Sequence, residues 1–214
     1  MITSLYATYG LIFSVSINFC YSQAMKKTFL FLSFSIMFLS AYGQFTQQDS
    51  LRGSITPERV WWDLNFYHLD IKVDPETKII SGKNTIRYRV KERHKLMQID
   101  LQAPMRITEV LQDGKPLKVR SNGNAHFISL QKKQKKGAYN EIVVSYSGKP
   151  KEAINAPWDG GLSWKKDMNG KPFVATSCQG LGASVWWPNK DHMYDEVDSM
   201  ATVSYTHLTL PTKA

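Results

Sequence analysis

Residues 61–200 predict an all-β domain, an antiparallel curved sheet or β-sandwich, on three observations. Apolar side chains alternate with polar ones at the period of a strand. The runs that carry them are short and bounded by Gly, Pro, Asn and Asp at close spacing. No stretch carries the apolar stripe of a helix of useful length, and no fixed-period repeat points to a propeller or solenoid.

Taken in order, Phe66, His68, Asp70 and Lys72 alternate with Tyr67, Leu69, Ile71 and Val73, which puts the apolar set on one face of a first strand. Asp74-Pro75-Glu76-Thr77 is a turn, because proline presets φ and the flanking carboxylates favour local hydrogen bonds. Residues 78–90 return as a second strand, with Ile86, Tyr88 and Val90 facing inward and Gly82 as a bulge or twist point. Residues 96–101 form a short apolar strand. Residues 106–111 run into Asp113-Gly114, a strong hairpin signal answered by residues 117–120, and Asn122-Gly123-Asn124 is the next turn. Residues 126–130 and 141–146 flank the run QKKQKKGAYN, which is expected to tip a hairpin between them. Gly148-Lys149-Pro150 closes this series. Met168-Asn169-Gly170 then folds Leu162-Ser163-Trp164 back onto Phe173-Val174-Ala175.

Composition fits a globular domain: 43% hydrophobic and 12% aromatic residues supply a core, with 21% charged. The net charge of +9 owes much to Lys132, Lys133, Lys135 and Lys136, read as a solvated loop. Nucleic acid is not an expected partner, since no basic surface interleaved with aromatics on a known module is visible.

The N-terminal region carries a different pattern. Met25 opens MKKTFLFLSFSIMFLSAYGQ: two lysines, an apolar run over residues 28–39, then Ala41-Tyr42-Gly43. This is the layout of a secretory signal peptide with small residues before a cleavage point at Gln44. The apolar run is short for a membrane span. Residues 1–24 are therefore expected to be an upstream extension, 25–43 a signal peptide cleaved near Gly43, and 44–60 a flexible N-terminus. The product is expected to be exported to the periplasm, cell envelope or medium, with no stable membrane span. Of the two cysteines, Cys20 precedes the signal, so Cys178 is left without a disulfide partner. At the other end, ATVSYTHLTLPTKA over residues 201–214 is Thr-rich and expected to be a non-native tail on the 61–200 domain, although Val203, Tyr205 and Leu208 have strand propensity.

The stretch that points to function is KPFVATSCQGLGASVWWPNKDHMYDEVD, residues 171–198. It begins as a strand and then meets Gln179, with Gly180 and Gly182 flanking Leu181, glycines that permit positive φ or the close approach of a ligand. Trp186-Trp187 and Pro188-Asn189 follow. A polar strand end, a flexible turn and an aromatic wall make a pocket rim. Read on spacing alone, Gln179 is a turn residue bonded to nearby backbone, and Cys178 is a small buried apolar residue rather than a nucleophile.

Thr176-Ser177-Cys178-Gln179, with Pro188-Asn189-Lys190-Asp191 behind it, resembles the zinc aminopeptidase family that includes aminopeptidase N and leukotriene hydrolase. In that family the N-terminal β-domain has a strand ending in Thr-x-Cys-Gln or Thr-x-Cys-Glu, whose last residue contacts the free α-amino group of the substrate. The resemblance implies that role for Gln179, with Gly180 beside it, and a peptide N-terminus as the partner. It implies Zn2+ in the full-length enzyme. The family's zinc helix, His-Glu-x-x-His, begins at none of His68, His94, His126, His192 or His207, and its Gly-x-Met-x-Asn segment is missing. The cluster from His192 to Glu196 is expected to be solvated rather than metal-binding. This chain alone is therefore expected to bind no zinc and to be inactive. The alternative is an exported non-catalytic module that binds glycan or protein through Trp61, Trp62, Trp158, Trp164, Trp186 and Trp187.

Overall fold

A computed structural model describes residues 45–205. The upstream extension, the signal peptide, Cys20, Gln44, His207 and Leu208 lie outside the described residues, as does most of the expected tail.

The period-two segments form strands as expected. β1 (Trp62–Asp74) and β2 (Ile79–Val90) make a long hairpin. β3 (Leu96–Asp100), β4 (Arg106–Gln112), β5 (Lys115–Pro116), β6 (Lys118–Asn122), β7 (Ala125–Ser129) and β8 (Tyr139–Gly148) follow. β9 (Gly161–Lys166) and β10 (Pro172–Ser177) pair through Trp164↔Val174 and Ser163↔Ala175, the hairpin predicted from Asn169-Gly170. β11 (Ser199–Tyr205) runs parallel to β1, and the other strand-to-strand pairings among the described residues are antiparallel.

The strands sort into a six-stranded sheet, β11-β1-β2-β8-β4-β5, and a three-stranded sheet, β3-β7-β6, with β9-β10 as a separate ribbon. Leu64, Tyr67, Leu69 and Ile71 of β1 share one core with Ile86 and Tyr88 of β2, Ile142, Val144 and Tyr146 of β8, and Met97, Ile99 and Ile128 of the smaller sheet. Two sheets that bury their apolar faces against each other give the sandwich architecture. No helix among the described residues is long and apolar enough to cross a membrane.

Local expectations needed revision at several points. The lysine run does not tip a hairpin, because β7 and β8 lie in different sheets and the run carries the chain between them. It is held by Gln134, whose side chain is buried and whose Oε1 accepts from Asn140 at 2.8 Å and from the Tyr88 hydroxyl at 3.3 Å. The strand after Asp113-Gly114 pairs only through Lys115 and Pro116, and residues 118–122 then join the other sheet. The bulge falls at Asn65 rather than Gly82: the β1-β2 register shifts between Leu64 and Phe66, and the Leu64 amide donates instead to Asp195 at 3.2 Å. Gly82 pairs regularly with Ile71 and is a close-approach glycine, since a Cβ there would sit 2.1 Å from the Asp70 carbonyl oxygen.

Residues 44–60, expected as a flexible lead-in, contain two short helices, α1 (Gln47–Gly53) and α2 (Pro57–Val60). α1 starts at a reciprocal cap: Thr46 Oγ1 accepts from the Asp49 amide while the Asp49 carboxylate accepts from the Thr46 amide at 2.8 Å. Residues 201–205, within the stretch read as a tail, belong to β11 and pair with β1.

Candidate functional site

The site starts from a buried anchor. Arg59 of α2 and Asp100 at the end of β3 form an ion pair of 2.6 Å inside the protein. The Arg59 Nη1 also donates to the carbonyls of Leu51 at 2.8 Å and Ser54 at 3.0 Å, so one guanidinium fixes the end of α1 and the loop behind it. Burial pushes the Asp100 carboxyl up while the Arg59 guanidinium pulls it down, and burial is the larger effect.

Asp100 in turn holds residues 189–191. Its backbone exchanges two hydrogen bonds with Asn189, at 2.8 and 3.1 Å, and its carboxylate accepts from the Asp191 amide at 3.2 Å. The buried Asn84 amide donates to the Pro188 carbonyl at 2.8 Å, and Trp187 stands edge-on to Tyr67 with ring centroids 5.0 Å apart. Lys190 Nζ donates to the Trp62 carbonyl at 2.7 Å and to the Asp195 carboxylate, and lies 3.9 Å from the Trp62 ring centroid. Burial lowers the Lys190 pKa from 10.5 to about 8 against the opposing pull of Asp195. The WWPNKD run is thus locked into the core.

On this base stands the turn of Gln179. β10 ends at Ser177, and the Cys178 carbonyl accepts from the amides of Leu181 at 3.2 Å and Gly182 at 2.8 Å. Gln179 and Gly180 are the central residues of that turn, and Gly180 has φ 70°, the left-handed value that the third position of a type II turn requires. Three contacts fix it from outside. Arg52 of α1 donates to the Gly180 carbonyl at 2.8 Å. The Asp191 carboxylate packs over Gly182, where a Cβ would lie 2.2 Å from it. Gly160 packs beneath, since a Cβ there would lie 2.8 Å from the Gln179 carbonyl oxygen.

The backbone of Gln179 is therefore held, while its side chain is exposed and its carboxamide makes no hydrogen bond among the described residues. The simplest reading of a turn glutamine, bonded to nearby backbone, does not describe this side chain. A neutral carboxamide offers an acceptor oxygen and two donors to a partner. Gly180 lines a groove of about 440 Å3 together with Asp49, Arg52, Asp191, His192 and Met193, and Gln179 stands outside that lining. Cys178, expected to be buried, is half-buried.

Several expected contributors lie elsewhere. Trp61, Trp62 and Trp187 are core residues, which removes the six-tryptophan binding surface; among the six only Trp158 is largely exposed, at 76%. Trp164 and Trp186 are half-buried against the core. Asp195 is not solvated, because Lys190 covers it and leaves its side chain 8% exposed. Among the described residues no group of three or more His, Cys, Asp or Glu could hold a metal ion. Both His126 nitrogens are engaged, by Ser121 and the Leu101 carbonyl, and those of His192 by Tyr194 and the Gly53 carbonyl. The described residues thus do not fit a zinc site.

Arg52 and Gly160 shape the turn without having been assigned a part in it from sequence, and Asp191, quoted there only for the resemblance, shapes it too. For Arg52 a local signal existed, since Thr46-x-x-Asp49 marks a helix start that would place Arg52 at its end.

The fold recurs in known structures. An M1 zinc metallopeptidase from Deinococcus radiodurans bound to a Tyr-Ser-Ala substrate superposes with TM-score 0.56 and 18% identity over 72% of this chain. Yeast LTA4 hydrolase in complex with bestatin gives TM-score 0.57 and 14% identity over 79% of it. Native leukotriene A4 hydrolase from Saccharomyces cerevisiae gives 0.56 and 13% over 78%. The matched region is an N-terminal domain in these enzymes, and the chain spans only 35%, 26% and 26% of their respective lengths. No protein-family profile matches the sequence, and no curated protein sequence is significantly similar to it.

Proposed function

We propose that this chain is the N-terminal, substrate-anchoring domain of an exported zinc aminopeptidase, in which the Gln179 side chain accepts a hydrogen bond from the free α-ammonium group of a peptide. The observation that carries this reading is the contrast at Gln179 itself: a backbone held by Arg52, Asp191 and Gly160, and a carboxamide left without an internal partner. A fixed turn with an uncommitted polar side chain is preorganised for a ligand. The Thr176-Ser177-Cys178-Gln179 resemblance and the shared fold support the same assignment.

Zinc in such an enzyme polarises a water and the scissile carbonyl. No step through zinc is assigned to the described residues, whose donors do not fit it. The purified 214-residue chain is expected to hold less than a tenth of an equivalent of zinc by elemental analysis and to leave aminoacyl-arylamides uncut. One equivalent of zinc would contradict the assignment. Export follows from the signal-like run starting at Met25, and N-terminal sequencing of the exported product should give Gln44.

The deciding experiment is made in the complete enzyme. A hydrogen bond with one charged partner contributes roughly 1.5–3 kcal/mol. Gln179→Ala should therefore lower kcat/KM for free-amine peptides by about ten- to a hundredfold. Gln179→Glu should retain or strengthen amine binding by adding charge. N-acetylated peptides should be poor substrates and lose little further in the Ala variant. Wild-type kinetics in a folded Ala variant would remove Gln179 from the binding site.

A further inference from the structure

The loop at the end of β2 and the lysine run are far apart in sequence and meet in the structure. The Val90 amide donates to the Ala138 carbonyl at 2.9 Å and the Gly137 amide to the Val90 carbonyl at 2.7 Å. The Gln134 amide donates to the His94 carbonyl at 2.8 Å, and the Leu130 amide to the Lys95 carbonyl at 2.9 Å. This zipper places Arg89, Lys91, Arg93 and Lys95 beside Lys132, Lys133, Lys135 and Lys136. All eight side chains are exposed, and the two loops contribute one carboxylate, Glu92. Of the eight, only Lys91 has an ion-pair partner among the described residues, Asp63 at 2.9 Å. Most of the chain's formal net charge of +9 is gathered here.

A patch of this kind is repulsive to itself, and the buried Gln134 holds it together. Six of the eight groups are lysines, so the surface presents mainly mobile point charges rather than planar forks for bidentate contacts. None of the eight lines any of the described cavities, so no pocket selects a particular small anion. Among residues 89–95 and 130–140 the one exposed large aromatic is Tyr139, so the patch has no row of platforms for bases. Diffuse charge without a groove fits a planar, highly charged partner, and clusters of four to eight Lys or Arg are what anionic bilayers attract.

We infer that the zippered loops 89–95 and 132–136 form a docking surface for an anionic lipid bilayer. The patch shares no residue with the Gln179 turn, so this inference and the peptidase reading stand or fall separately.

The test is co-sedimentation of the 214-residue chain with vesicles of phosphatidylcholine alone or with 30% phosphatidylglycerol. The neutral vesicles report any adsorption through the apolar N-terminal run. At low ionic strength the wild type should partition at least tenfold more onto the anionic vesicles, and 0.5 M NaCl should abolish the difference. Lys132→Gln/Lys133→Gln/Lys135→Gln/Lys136→Gln should lose at least tenfold. Arg93→Gln/Lys95→Gln, altering the other loop, should lose severalfold on the same vesicles. All these side chains are exposed, and thermal melting checks that each variant folds. Equal partition of wild type onto both vesicles, or lysine variants that bind like wild type, would overturn the inference. Tighter capture by heparin or duplex DNA than by anionic vesicles at the same ionic strength, with the same lysine dependence, would overturn the lipid assignment.

Discussion

Asp100 and Gln179 are both polar residues at strand ends, and the protein treats them in opposite ways. Asp100 is buried and committed to Arg59, Gln98 and the Asp191 amide. Gln179 is exposed and commits only its backbone. The first spends its hydrogen-bonding capacity on the fold, and the second leaves its carboxamide unspent among the described residues. The contrast separates residues that build the turn from the residue proposed to use it, and substitutions can break it on either side.

The largest effect belongs to the anchor. Arg59→Met would leave the Asp100 carboxylate buried without its cation and free the carbonyls of Leu51 and Ser54. Removing one partner of a buried ion pair costs about 3–5 kcal/mol. For a chain of this size that is a fall in Tm of roughly 10 °C, read by thermal denaturation. Arg59→Met combined with Asp100→Leu should recover part of the loss, because no charge is then stranded. A single variant that melts with the wild type would show that the pair is dispensable.

At the turn, Gly180→Ala is expected to cost about 1–2 kcal/mol, since a side chain at φ 70° is strained although nothing lies within 4 Å of its Cβ. Urea unfolding measures this. If the proposed role of Gln179 holds, the same variant should also weaken peptide binding in the complete enzyme by tilting that side chain.

A smaller, pH-dependent effect belongs to His126, which backs the anchor strand. Its Nε2 donates to the Leu101 carbonyl at 3.0 Å and its Nδ1 accepts from Ser121 at 2.8 Å, an arrangement suited to the neutral ring. Burial lowers its pKa below 6.5, outweighing the Leu101 hydrogen bond and the attraction of Asp100. Between the lowered folded value and 6.5 the unfolded chain binds more protons, so stability rises with pH there. The contribution is present above pH 6.5 and is lost as the solution is acidified through the folded value. Urea midpoints at pH 7.5 and 5.5 should differ more for wild type than for His126→Gln, and equal differences would assign the acid sensitivity to other groups.

The hairpins were legible in the sequence because their signals are local. Asp74-Pro75, Asp113-Gly114 and Asn169-Gly170 each turn the chain through their own φ preferences, and the alternation on either side fixes which face is buried. Assignment to a sheet was not legible. Period two says that residues 118–122 and 125–129 are strands, and they pair with each other across the Gly123 turn, but it does not say that this hairpin leaves the sheet of Lys115 and Pro116 to join β3. The same holds for buried polar groups. Nothing around Lys190 announces that it will sit over Trp62, or that Gln134 will pin a run of lysines, because the partners lie far along the chain. Tryptophan content could not distinguish a binding platform from a core, and burial decided for the core at Trp61, Trp62 and Trp187. The turn at Gln179 was legible from its glycines, and the ligand role proposed for it was suggested only by the resemblance.

The smallest expected effect is the sharpest test of the contrast. Gln179→Ala removes a side chain that is exposed and makes no hydrogen bond among the described residues, so no buried donor or acceptor is stranded and no cavity forms. Surface substitutions of this kind fall within about 0.5 kcal/mol of wild type. The turn survives because the Cys178 carbonyl, Arg52 and Asp191 act on backbone atoms that the substitution leaves in place. The Tm of Gln179→Ala should therefore stay within about 1–2 °C of wild type while Arg59→Met falls by roughly ten. A stability loss at Gln179 comparable to that at Gly180 would mean that the carboxamide supports the turn after all. Any kinetic loss in the complete enzyme would then trace to a displaced loop and not to a missing contact with the substrate amine.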